Sequence, residues 1–431
     1  MRLSFTFWLY RVLALVLLAP LFFMIYGYAN NYTSTINNLF ITEIVYSWEK
    51  YIPFIPSTIL PYWSIDLFYG ISLFLPMTFL AFRQHFLRLL VATPLAALFF
   101  INFPLQFSTP KPEIDSIWNV FFVSLSEFDK PYNQAPSLHI ILLVIIWQGF
   151  LPFLNNIRRF FWNFWCFLIG ISVLTTFQHH FIDVPTGFLV GVFICYLFPL
   201  EKEIQWKISR PKSISIGAKY FLISLTVISF SIFVNFIFQI VLWWIAFSFL
   251  TVSFGYIALD ESVFQKKANG KFSFAAYIVL FPFRFFTKLT REFFFKTKNK
   301  EIQVYENLYI GDYNSSKTSS CECIFDVCVE YEKAHKKSNY INFPILDLVP
   351  IKLTTLKQGV LVLDDLLNEN KVLVHCALGM SRSTTIVIAW LGYKNVVTTV
   401  EDAIELIESK NYTIHLSKKH MTLLNNYFNQ K

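Results

Sequence analysis

The sequence predicts a multi-domain chain: a polytopic all-α membrane bundle of about eight spans, followed by an α/β domain. Three observations predict it. Apolar runs of bilayer-crossing length fill residues 7–259. Over all 431 residues, 55% are hydrophobic, 19% aromatic and only 15% charged, with mean hydropathy +0.49; a soluble domain is about a quarter charged. Near the C-terminus, a β run, a glycine-containing loop and a helical pattern follow one another within residues 371–393.

The apolar runs lie at roughly 7–27, 62–82, 87–107, 137–154, 160–178, 181–199, 219–237 and 239–259. Each is near the ~20 residues a helix needs to cross a bilayer. No A-x-A-like cleavage site follows the first, and further runs come after it, so a retained anchor is expected rather than a signal peptide. Residues 272–286 are apolar but hold Pro282 and Arg284 and run into Lys288 and Arg291, the pattern of an interfacial helix. The expected divisions are 1–60, an anchor and loop; 61–200, a membrane domain; 201–260, a further hairpin; 261–300, a basic linker; and 301–431, the α/β domain. No internal repeat or low-complexity segment interrupts them.

The net charge of +8 does not point to nucleic acid. Lysine and arginine concentrate in short loops between the apolar runs, which is the signature of membrane topology. Arg2 and Arg11, Arg83 and Arg88, Arg158 and Arg159, then Lys202, Lys207, Arg210, Lys212 and Lys219, and finally Lys266, Lys267 and Lys271 all fall on one side if the spans alternate. The opposite loops hold Lys50, Lys111 and Lys130. Both termini are therefore expected on the cytoplasmic side, in a compartment that keeps thiols reduced.

Residues 375–383 read His-Cys-Ala-Leu-Gly-Met-Ser-Arg-Ser, between the β run of 371–375 and a helical pattern from Ser381. In a strand–loop–helix, the loop amides and the helix N-terminus converge on one anion. That field favours the thiolate form of Cys376, the nucleophile. Arg382 can grip two phosphate oxygens where lysine could not. Gly379 permits close backbone approach. His375 and Ser383 are expected to fix the loop, and Ala377, Leu378, Met380 and Ser381 to complete the phosphate cradle. The chemistry is phosphoryl transfer to sulfur.

Over about residues 301–431 the chain resembles the dual-specificity protein phosphatases, with Leu308-Tyr309-Ile310-Gly311 and residues 343–348 (FPILDL) as further points of likeness. The resemblance implies a central sheet flanked by helices. It implies Asp347, 29 residues before Cys376, as general acid and then base. It implies a phosphoprotein or a phosphorylated lipid head group as substrate, and no cofactor. Asp364 and Asp365 sit in a helical pattern and read as a solvated face. Cys321, Cys323 and Cys328 lack the second pair that a zinc site needs. Phosphoinositide phosphatases of the tumour-suppressor type carry a cysteine in a strand like that of Cys328, which implies a redox partner for Cys376; the plainer reading is a small core residue.

A second constellation lies among the apolar runs. Pro136-Ser137-Leu138-His139 opens the fourth, and His179, His180 and Asp183 mark the boundary of the fifth and sixth. Ionisable residues at membrane depth are functional candidates. His179 and Asp183, four apart, share a face if that stretch is helical. An imidazole oriented by a carboxylate, with a second histidine as acid, is a nucleophilic set. His180 is left without a catalytic role, and Asp66 is expected to face the bundle interior.

PSLH followed by HxxxD resembles the type 2 phosphatidic acid phosphatase superfamily over about residues 60–200, closest to its inositol phosphorylceramide synthase branch. The resemblance implies His179 as nucleophile, Asp183 as its orienter, His139 as acid, and a phospholipid or lipid phosphate as substrate. Two positions depart from it. Val173 stands where an arginine is expected and Pro104 where a lysine is, leaving Lys111 and Lys130 as the nearby cations. A head-group phosphotransferase, or a membrane half that is only an anchor or lipid-binding module, are the competing readings. The tandem arrangement, with residues 128–139 (FDKPYNQAPSLH) and 264–271 (FQKKANGK), resembles a bacterial inner-membrane family of fused phosphatases. That implies a multi-pass inner-membrane protein with a cytoplasmic C-terminal domain, needing no metal.

Overall fold

The computed structural model describes residues 5–36, 41–201, 211–294, 299–334, 339–349 and 351–430. The chain divides into two compact units, residues 1–204 and 205–431. The expected loop charges Arg2, Lys202, Lys207 and Arg210 lie outside the described residues.

The first unit is helical: α1 (Phe5–Thr35), α2 (Ile59–Ser72), α3 (Phe79–Asn102), α4 (Asn119–Phe128), α5 (Leu138–Phe150), α6 (Asn156–Thr175) and α7 (Asp183–Leu197). A helix occupies each expected apolar run, but the second boundary moves. The chain breaks at residues 73–78, around Pro76, rather than at 83–86, so Arg83 and Arg88 belong to α3 and not to a loop. Proline forces the preceding residue out of the helical region, which explains the break. Arg88 is buried, donating to the carbonyls of Phe198 (2.8 Å) and Cys195 (3.2 Å) at the end of α7. Arg11 is buried likewise, on the carbonyls of Phe74 and Pro76 beyond α2. Both cations satisfy orphan carbonyls of helix ends, a structural duty the loop-charge count did not anticipate.

Among the described residues, five helical stretches are long and apolar enough to cross a membrane: Phe5–Thr35, Phe79–Asn102, Asn156–Thr175, Ser213–Ser231 and Phe236–Phe264. The other expected spans correspond to the shorter helices α2, α5 and α7, of 14, 13 and 15 residues.

The second unit opens with α8 (Pro211–Ser231) and α9 (Phe236–Phe254), which pack as a hairpin. Ser224 Oγ donates to the Ala246 carbonyl and Ser253 Oγ to the Gly217 carbonyl, each at 2.8 Å. Short helices α10 (Phe274–Val279) and α11 (Phe281–Phe294) follow. Then comes an α/β domain: β1 (Ile302–Tyr305), β2 (Leu308–Gly311), α12 (Ser315–Thr318), β3 (Cys323–Cys328), β4 (Tyr340–Ile345), α13 (Leu353–Leu367), β5 (Val372–His375), α14 (Arg382–Tyr393), α15 (Val400–Glu408) and α16 (Lys418–Asn429). The sheet runs β1-β2-β5-β3-β4, antiparallel between β1 and β2 and parallel elsewhere. Strands β3 and β5 are buried throughout and read as near-continuous apolar runs, as parallel strands covered on both faces do. Helix α14 is buried along almost its whole length and fills the core beside the sheet. Asp364 is not a solvated face: it accepts from Trp390 Nε1 (3.1 Å) and pairs with Lys394 (3.0 Å), fastening α13 to α14.

Candidate active sites

Cys376 follows directly on β5, and α14 starts at Arg382, so the central strand and the buried helix hold the two ends of the loop. Cys376 is 2% exposed, and Ser383 Oγ donates to its Sγ at 3.3 Å. The loop turns at Gly379, whose φ of +75° suits glycine alone; a Cβ there would strike the Tyr412 hydroxyl and the Gly311 carbonyl. The Gly379 carbonyl is held by Tyr412 Oη (2.8 Å) and Thr384 Oγ1 (2.9 Å). Met380 is fixed by its carbonyl, which accepts from the His415 N–H at 2.9 Å, and Ala377 packs against Cys328 and Tyr331. Leu378 and Ser381 are half-buried at the loop surface.

Arg382 is buried, and Glu330 holds it in a bidentate grip, Nη1 to Oε2 at 2.8 Å and Nη2 to Oε1 at 2.6 Å. Its Nη1 also reaches the Ile345 carbonyl at 3.0 Å. The Nε lies 3.3 Å from Asp347 Oδ1 without hydrogen-bond geometry. The guanidinium is thus anchored by its two terminal nitrogens, with Nε on the side of the proposed acid. Burial alone would raise the Glu330 acid; the charge and hydrogen bonds of Arg382 hold it below its ordinary value. Asp347 keeps 45% side-chain exposure. Protein atoms around its carboxyl still raise it above the ordinary aspartate value; Arg382 opposes the rise and Glu330 adds to it. That rise favours a proton donor.

His375 Nδ1 lies 3.4 Å from the Cys376 carbonyl, and its Nε2 lies 3.6 Å from Asp326 Oδ1. Burial lowers the His375 imidazole below its usual value; Lys266 adds to this and Asp326 opposes it. Cys328 ends β3 beside Ala377, and burial pushes its thiol well up. Glu330, Tyr412, Thr384 and Asp326 were not singled out from sequence. Glu330 had one available signal, an acid just beyond an apolar strand; Thr384 makes a local contact within the loop and helix start, and Tyr412 and Asp326 make long-range ones.

In the first unit, His179 and Asp183 do pair, but not on one helix. His179 sits in the turn before α7 and Asp183 is the first residue of α7, with Nδ1···Oδ2 at 3.0 Å. The same Oδ2 accepts the His180 N–H at 3.0 Å. His180 has a structural duty: its Nε2 accepts from the Ser108 N–H (3.3 Å), so its Nδ1–H donates to Glu49 Oε2 (3.0 Å). His139 stands in the first turn of α5, after the Ser137 N-cap, with its ring stacked on Tyr62 at 4.1 Å. Its Nε2 is buried with no hydrogen-bond partner, as is Asp183 Oδ1. His139 and His179 line one cavity of about 480 Å³ together with Tyr26, Tyr62, Asp66 and Asp129. Asp129, bonded to Tyr26 Oη at 2.6 Å, was missed from sequence. Lys111 is not among the lining residues, and Lys130 turns away to Asn31 and Ser34. Val173 is fully buried, its carbonyl accepting from the N–H groups of Gln178 and His179. No cluster able to hold a metal ion occurs among the described residues.

Residues 308–430 match the family described as the dual specificity phosphatase catalytic domain. Over 116 residues the chain is 28% identical to "Putative tyrosine phosphatase 123R" of Invertebrate iridescent virus 6, spanning 26% of this chain and 80% of that one. Solved structures that resemble it include human DUSP28, 14% identical over 31% of this chain and 96% of that one with a TM-score of 0.28. PTPMT1 in complex with PI(5)P is 15% identical over 30% and 95%, with a TM-score of 0.26. The C-terminal α/β domain is a dual-specificity phosphatase domain, and the chain is a cysteine-dependent phosphoric monoester hydrolase.

Proposed function

We propose that this hydrolase is a membrane-bound enzyme with two phosphoryl-transfer sites. At the cysteine site, the Cys376 thiolate attacks phosphorus as the P–O bond to the leaving group breaks, and Asp347 gives that oxygen its proton. Asp347 then takes a proton from water, which attacks the cysteinyl phosphate and releases inorganic phosphate and the thiolate. Arg382, gripped by Glu330, and the loop amides hold the phosphoryl oxygens throughout. The substrates are phosphorylated proteins or phosphorylated lipid head groups.

At the second site, His179 Nε2 attacks the lipid phosphate as the P–O bond to the leaving group breaks, Asp183 orients it through Nδ1, and His139 protonates the leaving oxygen; a water or an acceptor hydroxyl, giving its proton back to His139, then attacks phosphorus and frees His179. The observation that carries this reading is the 3.0 Å His179–Asp183 pair opening into the same cavity as the unpartnered His139 Nε2. Membrane placement rests on the five long apolar helices and on their outward faces: Phe160, Phe161, Phe164 and Phe167 of α6 are all exposed. An inner membrane, with the cysteine domain on the cytoplasmic side, agrees with the side-to-side imbalance of basic loop residues. One observation favours head-group transfer over phosphomonoester hydrolysis: no lysine or arginine lines the cavity. Purified Cys376→Ser protein, with and without His179→Ala, incubated with vesicles of several phospholipids would decide. Loss of every lipid turnover in the double variant supports the site; unchanged turnover removes it.

A further inference from the structure

Two side chains upstream of the phosphatase match reach into its catalytic machinery. After α9 the helix widens into a π-helical turn over Gly255–Leu259 and then tightens into a 3-10 helix over Asp260–Phe264. Tyr256, 2% exposed, donates its hydroxyl to the Asp347 carbonyl at 3.1 Å. Asp260 pairs with Lys352 at 3.0 Å, on the far side of the same loop. Ten residues after Tyr256, Lys266 enters the α/β core. Its Nζ lies 2.8 Å from Asp326 Oδ2 and 2.5 Å from the Cys328 carbonyl, and the side chains of Lys266 and Asp326 are each 1% exposed. Asp326 is fully engaged. Oδ2 also accepts from Tyr340 Oη (2.6 Å), while Oδ1 accepts the Cys328 N–H (2.8 Å) and faces His375 Nε2. His375 in turn touches the Cys376 carbonyl. Lysine, carboxylate and imidazole therefore stand in one file that ends on the backbone carbonyl of Cys376.

An acid buried at the centre of a sheet costs heavily unless its charge is matched. Burial alone would raise the Asp326 acid; His375, Lys266 and Tyr340 together hold it below its ordinary value. Lys266 lies outside residues 308–430, so the charge partner comes from the apolar hairpin's exit.

We propose that the segment from Tyr256 to Lys266 belongs to the cysteine site: Tyr256 positions the Asp347 loop, and Lys266 positions Asp326 and, through it, His375 beside the nucleophile. Hydrolysis then depends on the end of the α9 hairpin staying seated on the phosphatase fold. The Tyr256 half rests on the reading of Asp347 as general acid.

The test uses the full-length protein and two aryl phosphates, para-nitrophenyl phosphate, whose phenolate leaves readily without a proton, and phenyl phosphate, whose leaving oxygen needs one. Tyr256→Phe should lower kcat on phenyl phosphate several-fold more than on para-nitrophenyl phosphate. In Asp347→Asn background it should add nothing. An equal effect on both substrates, or none, overturns the role of Tyr256. If Asp347→Asn alone shows no leaving-group dependence, the acid assignment itself has failed. Lys266→Met should lower kcat on both substrates at least about tenfold, the weight of one charge-assisted hydrogen bond, with KM little changed. Lys266→Met with Asp326→Asn should be no worse than Asp326→Asn alone, because both act through one carboxylate. Additive losses, or a lysine variant with full kcat and an intact melting transition, overturn that half.

Discussion

The cysteine site and the histidine site differ in how their polar atoms are partnered. Around Cys376 most groups are partnered: the Arg382 terminal nitrogens by Glu330, the Gly379 carbonyl by Tyr412 and Thr384, Asp326 by Lys266, Tyr340 and a backbone amide; Arg382 Nε alone of these is buried without a hydrogen bond, 3.3 Å from Asp347. Around His179 the bond to Asp183 is made, but Asp183 Oδ1 is buried without a partner, and so is His139 Nε2, whose residue lines a cavity with no lining cation. A buried polar group left alone costs about 1–3 kcal/mol. Under the two-site proposal, the lipid phosphate supplies the partners that the histidine site leaves open, whereas the cysteine site holds its own side chains in place without a ligand.

The largest expected effect tests the first half of that contrast. Cys376→Ser in the full-length chain should abolish turnover of an aryl phosphate, because serine is not ionised near neutral pH. Full activity in that variant would mean a different nucleophile. In a Cys376→Ser background His179→Ala should abolish the lipid turnover that remains, while in the otherwise intact protein it should leave aryl phosphate hydrolysis unchanged. Loss of both activities would break the two-site reading.

Next comes the acid. Asp347→Asn should lower kcat roughly 10²–10⁴-fold with binding retained. Asp347 must be protonated to serve the leaving group, so activity falls as pH rises through its pKa. Burial raises that pKa, so the falling limb should lie above the ordinary aspartate range. In Asp347→Asn the limb should vanish from the pH–rate profile. A limb that stays where it was belongs to another group. Glu330→Gln should follow with a loss of roughly 10–100-fold in kcat/KM, since Arg382 keeps its charge but loses its bidentate hold. Undiminished kcat/KM would show that the Ile345 carbonyl suffices to place the guanidinium.

How much of this was legible in the sequence follows the same divide. The loop from His375 to Ser383 is contiguous, so its strand, glycine turn and helix start can be read directly. The histidine set was legible through PSLH and HxxxD, although the pair forms across a turn and not along a helix. The Glu330 grip and the Lys266–Asp326 pair were not. They join residues 52 and 60 positions apart, and no local pattern links one partner to the other. Apolar runs gave the helices, but Pro76 moved one boundary and turned two expected loop arginines into residues of α3. Of those, Arg88 caps the end of α7 from within the bundle, as Arg11 does the end of α2. The same limit bears on a cut at residue 300, which looked clean by composition: it would leave Asp326 without Lys266, so the excised domain should be less stable and less active than the full chain.

The smallest expected effect concerns Lys111, one of the two lysines that the sequence offers the histidine site. A lysine bound directly to phosphate would contribute about 1.5–3 kcal/mol, or roughly 10–100-fold in a rate. Lys111 is absent from the cavity lining. It sits near enough to Asp129 for the two charges to interact, and Asp129 does line the cavity. Its influence should therefore pass through that carboxylate. Lys111→Ala should lower lipid turnover by less than about tenfold, and combining it with Asp129→Asn should add nothing further. A loss of about a hundredfold in Lys111→Ala alone would place the ammonium on the phosphate itself. The histidine site would then hold its anion much as the cysteine site does, and the contrast between the two would narrow to the nucleophile.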